Sequence, residues 1–192
     1  MRREQQNDRA GAKAAYGRAD EAGHPGAACN LGVMMEVDGD VRAARAAYER
    51  ADQRGDANGA FNLGCLFEEQ GNWNGARDAY KRADQRGHAE AATNLGVLLE
   101  VRGETAGARA AYERAEERGD PNGAANLGAL LEELGEHRAA RAAYRRAEQM
   151  TQRPVRTTTR TSPVPKTVNT APPEPEQTAE RGPTSRQRGE GT

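Results

Sequence analysis

All five tyrosines of this chain fall 32 residues apart, at Tyr16, Tyr48, Tyr80, Tyr112 and Tyr144. Two rows of glycines keep the same step: Gly23, Gly55, Gly87 and Gly119, then Gly39, Gly71, Gly103 and Gly135. A register that never slips constrains the fold more than any composition does. One supersecondary unit must recur, and copies of it must stack to bury what a single copy cannot. Four full units begin near Pro25, Ala57, Ala89 and Pro121, and half a unit precedes them.

Each unit reads as two helices. In the first, Ala28, Leu31, Gly32 and Met35 stand at i, i+3, i+4 and i+7, one face of a helix. In the second, Ala44, Tyr48 and Ala51 do the same. Gly39-Asp40 separates them, with Gly suited to a left-handed helix end and Asp to capping the next helix. Gly55-Asp56 repeats the device between units, and in "GDPNG" Pro121 follows the capping Asp120 in the first turn, where its missing N–H costs nothing. Only 35% of the chain is hydrophobic and 4% aromatic, so the core must be built mainly from Ala and Leu. Small residues such as Gly32, Ala28, Ala44 and Ala51 let backbones approach, while Leu31 and Tyr48 fill the gaps.

The order Asn30-Leu31-Gly32, Met35, Gly39-Asp40, Ala44, Tyr48, Ala51 resembles the tetratricopeptide repeat over about residues 9–150. The unit is 32 residues, against about 34 in that family, and lacks its usual terminal Pro. The junction "RADQRGHAEAATNLG" resembles instead the Sel-like repeats (the sel-one class), without their long internal turn. The expected fold is all-α: a right-handed α-solenoid of stacked antiparallel hairpins, about four and a half repeats, followed by a disordered tail. Its expected parts are a half repeat at 1–24 containing only a second helix, repeats at 25–56, 57–88, 89–120 and 121–150, and the tail at 151–192.

The resemblance implies a groove along the first helices, on the face that projects away from Leu31 and Met35. Its candidate residues are Cys29, Val33 and Glu36; Phe61, Cys65, Glu68 and Glu69; Thr93, Val97 and Glu100; and Ala129, Glu132 and Glu133. Every unit supplies a Glu there, and the neighbouring positions are small or apolar and vary. That pattern suits a basic, partly apolar peptide or protein segment. The family's clamp for C-terminal carboxylates needs Lys and Arg on this face, and the sequence places none there. The Glu row and two Arg rows (Arg45, Arg77, Arg109, Arg141 and Arg50, Arg82, Arg114, Arg146) also have a plainer reading, as solvated surface with weak ion pairs. The Asn of each "NLG" either bonds a bound peptide or ties its helix to the neighbouring unit's backbone; the second explains its presence in all four units.

Nothing in the pattern points to catalysis, a metal or a cofactor. Cys29 and Cys65 lie on different helices, and His24 and His88 occupy junction positions where Asp56 and Asp120 also occur, which marks an N-cap region. Glu68 and Glu69 are adjacent on one helix and splay apart. No glycine-rich stretch has the Lys-Ser/Thr of a phosphate loop. Residues 1–150 carry 21 Lys+Arg against 25 Asp+Glu, and residues 151–192 seven against four. This balance, with Glu on the presumed groove, argues against a nucleic-acid binder.

The N-terminal stretch "MRREQQNDRAGAKAAYG" has no apolar run, so neither a signal peptide nor a membrane span is expected. The Ala-, Gly- and Arg-rich composition suggests a bacterial, cytoplasmic protein. Met1 aligns with Val33, which leaves the helix of Tyr16 without a preceding partner. Three readings of the uncovered ends stay open: a start further upstream, a regulatory or structural module of a longer multidomain protein, or pairing with a partner or a second copy. Seven of the nine prolines and ten threonines lie in residues 151–192, without an aromatic, which fits an extended linker.

Overall fold

The computed structural model describes residues 2–152, with side chains from residue 9 onward. Of the expected tail at 151–192, Thr151 and Gln152 belong to the last helix and the rest lies outside the described residues. Within them the chain forms α-helices and no strand. They run α1 Arg2–Glu21, α2 Pro25–Val37, α3 Val41–Gln53, α4 Ala57–Glu69, α5 Trp73–Gln85, α6 Ala89–Val101, α7 Thr105–Glu117, α8 Pro121–Glu133 and α9 His137–Gln152. From α2 to α8 every helix has 13 residues, about 20 Å. None is long and apolar enough to cross a membrane.

Local chemistry accounts for this regularity. Gly39 adopts φ +82°, a conformation that other residues rarely take, and its N–H closes the end of α2 on the Glu36 carbonyl at 2.9 Å. The Asp40 side chain then accepts the Ala43 N–H at 3.0 Å and starts α3. Between units Asp56 does the same for Asn58 and Gly59, and Asp120 for Asn122. His88 takes that place before α6: Nδ1 accepts the Ala91 N–H at 3.2 Å, as its junction position suggested. Three-residue turns of this kind leave each helix little choice but to fold back antiparallel on the last.

The helices pair as hairpins (α2 with α3, α4 with α5, α6 with α7, α8 with α9), and each second helix packs on the next unit's first helix. First helices also touch directly, α2 against α4 and α6 against α8. Apolar clusters straddle the junctions. Ala28, Ala44, Tyr48 and Ala51 of one unit join Leu63, Leu66 and Ala79 of the next. The core is therefore the Ala-and-Leu core that composition requires, continuous along the stack.

Tyrosine is the largest component of that core. Tyr48, Tyr80 and Tyr112 are fully buried, while Tyr16 and Tyr144, at the two ends of the described stack, are half-buried. The rings of Tyr48, Tyr80, Tyr112 and Tyr144 each lie against the Gly of "NLG" in their own unit. A Cβ on Gly32, Gly64, Gly96 or Gly128 would stand 2.6, 2.5, 2.4 or 2.7 Å from the tyrosine ring, closer than any real carbon contact. "NLG" is thus a packing motif, with Gly admitting the ring and Leu31, Leu63, Leu95 and Leu127 buried beside it. A helical stack of this construction is an α-solenoid.

Candidate functional site

The first-helix face is built on the same tyrosines. Buried hydroxyls need a partner, and each finds a Glu of the expected row. Tyr48 donates to Glu36 Oε2 at 2.6 Å, Tyr80 to Glu68 at 2.5 Å, Tyr112 to Glu100 at 2.6 Å and Tyr144 to Glu132 at 3.3 Å. Burial, then the hydrogen bond and charge of Glu36, pushes the Tyr48 phenol far above its ordinary range, so the hydroxyl is the donor. The Glu row is thus more than solvated surface. One carboxylate oxygen in each unit is anchored from within the hairpin, which limits how far the side chain can wander.

The expected groove residues divide. Glu36 and Glu132 are exposed and Glu68 and Glu100 half-buried, while Glu69 and Glu133 are exposed on the same face. Val33 and Cys65 are half-buried, and Val97 and Ala129 exposed. Burial and the nearby Glu68, Glu36 and Glu69 push the Cys65 thiol up to about 12, against an opposing contact from the Tyr80 hydroxyl.

Cys29, Phe61 and Thr93 sit differently: all three are buried in the interface with the following unit. Cys29 Sγ accepts from Asn62 Nδ2 at 3.4 Å, the Phe61 ring stacks on His88 at 4.3 Å, and Thr93 Oγ1 donates to Asp120 Oδ2 at 2.5 Å. Helical periodicity gave them the same direction as Val33 and Glu36, but the next unit closes over the N-terminal half of each first helix. Asn62 does stitch neighbouring units, through a side-chain thiol and not the backbone. Burial, with the Asp56 charge, pushes the Cys29 thiol up to about 12, so neither cysteine offers a thiolate at neutral pH. Among the described residues no three His, Cys, Asp or Glu side chains converge as a metal site.

The opposite side holds an element that sequence reasoning overlooked. Asp20, Asp52 and Asp84 are buried on the second helices, and each receives two arginines from the next unit. Arg50 and Arg54 reach Asp20, Arg82 and Arg86 reach Asp52, and Arg114 and Arg118 reach Asp84, at 2.5–2.7 Å. Burial alone would raise these carboxyls; hydrogen bonds and charge from the arginines outweigh it and hold them below the usual range. At the last junction Glu116 pairs with Arg146, and Met150 stands where the second arginine would be. Arg50, Arg82 and Arg114, expected as weak surface pairs, are bridges between units. The signal was available: an acid recurs every 32 residues directly after a core alanine, in "ADE", "ADQ", "ADQ" and "AEE". The other row stays on the surface, with Arg45 pairing Glu49 and lying 4.9 Å over the Phe67 ring.

A stack of uniform helical hairpins, closed on Tyr–Gly contacts and linked by arginines, defines a helical-repeat protein. Residues 61–124 match the tetratricopeptide repeat family model. Among solved structures, that of MamA is 21% identical, covering 79% of this chain and 93% of its own, with a TM-score of 0.57. A Sel1 repeat protein from Oxalobacter formigenes is 22% identical over 71% of this chain and 61% of its own, with a TM-score of 0.61. PilF of Pseudomonas aeruginosa is 22% identical over 76% and 70%, with a TM-score of 0.60. At these identities the likeness establishes the fold. No curated protein matches the chain. Residues 61–124 are thus of tetratricopeptide-repeat type, and the described helices share the fold of the Sel1 repeat protein.

Proposed function

We propose that this chain is a non-catalytic interaction scaffold that holds a basic, partly apolar segment of another protein against its first helices. The supporting observation is the anchored Glu row: four carboxylates at a 32-residue step, each held by a tyrosine and each beside a Val, Cys or Ala. Anchoring lowers the conformational cost of ordering these side chains against a partner. Opposite charge would speed encounter and exclude acidic competitors. The direct contact of α2 with α4 and of α6 with α8 fits the inner side of a curved stack, where helices crowd together.

Glu68→Gln with Glu100→Gln tests this reading. Gln retains an oxygen for the Tyr80 and Tyr112 hydroxyls while removing the charge. Fluorescence anisotropy with a labelled Lys- and Leu-containing peptide should show affinity reduced about tenfold, and less so as salt rises. Unchanged affinity overturns the proposal.

A further inference from the structure

The residue before each first helix is not constant: His24, Asp56, His88 and Asp120 stand there in turn. What it meets across the junction changes with it. Asp120 accepts from Thr93, whereas His88 stacks on Phe61 at 4.3 Å with the rings 17° apart. His24 makes no side-chain cap. His88 thus both starts a helix and packs in the joint between units two and three. The Phe61 ring it covers belongs to the core that joins α4 and α5 to Ala91, Leu95 and Leu98 of α6.

The cap needs the neutral imidazole. Nδ1 accepts the Ala91 N–H at 3.2 Å, and a proton on Nδ1 would set two donors against each other. Its charge would also stand at a helix N-terminus, where the dipole favours anions. Three charged groups act on the ring from neighbouring elements: Asp120 before α8, Asp56 before α4 and Arg118 after α7. Burial outweighs the two carboxylates and, with Arg118, holds the imidazole below its ordinary range. Those carboxylates are already engaged. Asp120 accepts from Thr93 through one oxygen and from the Asn122 N–H through the other, and Asp56 caps α4 through Asn58 and Gly59.

We infer that His88 is a proton-operated joint: its protonation ends the cap of α6 and loosens units two and three, while the junctions capped by Asp56 and Asp120 stay closed. A ring that binds its proton more weakly folded than unfolded stabilises the fold fully above the ordinary histidine pKa of about 6.5. That contribution is lost as pH falls from there through the depressed folded value. The Asp–Arg bridges keep their charge in this window, because Asp20, Asp52 and Asp84 titrate below the usual carboxyl range. Glu90, on α6 itself, is the one neighbour raised toward it, by burial and the Asp120 charge.

Amide exchange followed by NMR on the full chain tests this. Between about pH 7.5 and pH 5, protection of the Ala91 and Ala92 N–H groups, corrected for the intrinsic pH dependence of exchange, should fall about fivefold, the usual worth of a side-chain cap. The Asn58 and Asn122 N–H groups, capped by carboxylates, should change less than about twofold. His88→Asn keeps a capping oxygen without a titrating ring, as Asn72 does before α5, and retains Glu90. Its Ala91 protection should also vary less than about twofold. An equal fall in both chains overturns the proposal. So does an imidazole carbon-13 titration of the natural chain that places His88 at or above the ordinary histidine value.

Discussion

Tyr80 and Glu68, twelve residues apart, join α5 to α4 through a 2.5 Å hydrogen bond. The same pair recurs in the other three units, lengthening to 3.3 Å at Tyr144 and Glu132, where no further described helix packs beyond α9. One residue type thus fills the core and orients the acid that faces outward. Core packing and the anchoring of the acid share one side chain.

Removing that hydroxyl should cost more than neutralising its acceptor. Tyr80→Phe leaves the half-buried Glu68 without its donor, and a hydrogen bond to a charged group contributes about 1.5–3 kcal/mol. Glu68→Gln keeps the bond in neutral form and should cost less than about 1 kcal/mol. Urea unfolding followed by circular dichroism would rank the two; equal losses would show that the bond contributes little.

Gly64→Ala sets two effects against each other. Alanine gains about 0.5–1 kcal/mol of helix stability over glycine. Its methyl would also stand 2.5 Å from two carbons of the Tyr80 ring, which is fully buried and has nowhere to move. Overpacking of this kind costs about 1–3 kcal/mol or more, so the net change should be destabilising. A midpoint at or above that of the natural chain would show that the ring can yield. In a Tyr80→Leu background, which clears the ring, Gly64→Ala should cost less than it does in the natural chain.

The Asp–Arg bridges predict an acid-sensitive stack. Asp20, Asp52 and Asp84 titrate below their ordinary range in the folded chain, so their stabilisation is complete above an unfolded carboxyl pKa of about 3.9. It is lost as pH falls through the depressed folded values. Thermal midpoints should fall between about pH 4 and pH 2, and the fall should be shallower in a chain carrying Asp20→Asn, Asp52→Asn and Asp84→Asn. At pH 7 Asp52→Asn alone should cost about 1–2 kcal/mol, at the low end for a buried pair because Arg82 and Arg86 keep 40% and 28% of their surface in water. A pH profile unchanged by the triple substitution would remove these bridges from the account of stability.

The repeat, helix bounds and turns were legible because each rests on local chemistry: capping Asp, left-handed Gly and an apolar face at helical spacing. The role of Leu31 and Gly32 was legible for the same reason. What escaped were contacts whose partners lie 30 or 34 residues away, such as Arg82 and Arg86 on Asp52, since periodicity shows that an acid recurs without showing what meets it. Burial of Cys29, Phe61 and Thr93 escaped because helical spacing gives a direction from the axis and not the position of the next helix. Glu36 and its copies were found as a row, but their tyrosine donors emerged only once α3 folded back on α2.

The caps between units and the arginine bridges recur at a fixed interval along most of this chain. Excising residues 57–88 would bring Asp56 to cap the helix beginning at Ala89, set Arg114 and Arg118 on Asp52, and leave Gly96 beneath Tyr112. These contacts would be restored in kind, and the same holds for inserting a copy. Length in such a molecule is counted in whole modules, so its reach along a partner can lengthen or shorten while the rules that hold it together stay as they are.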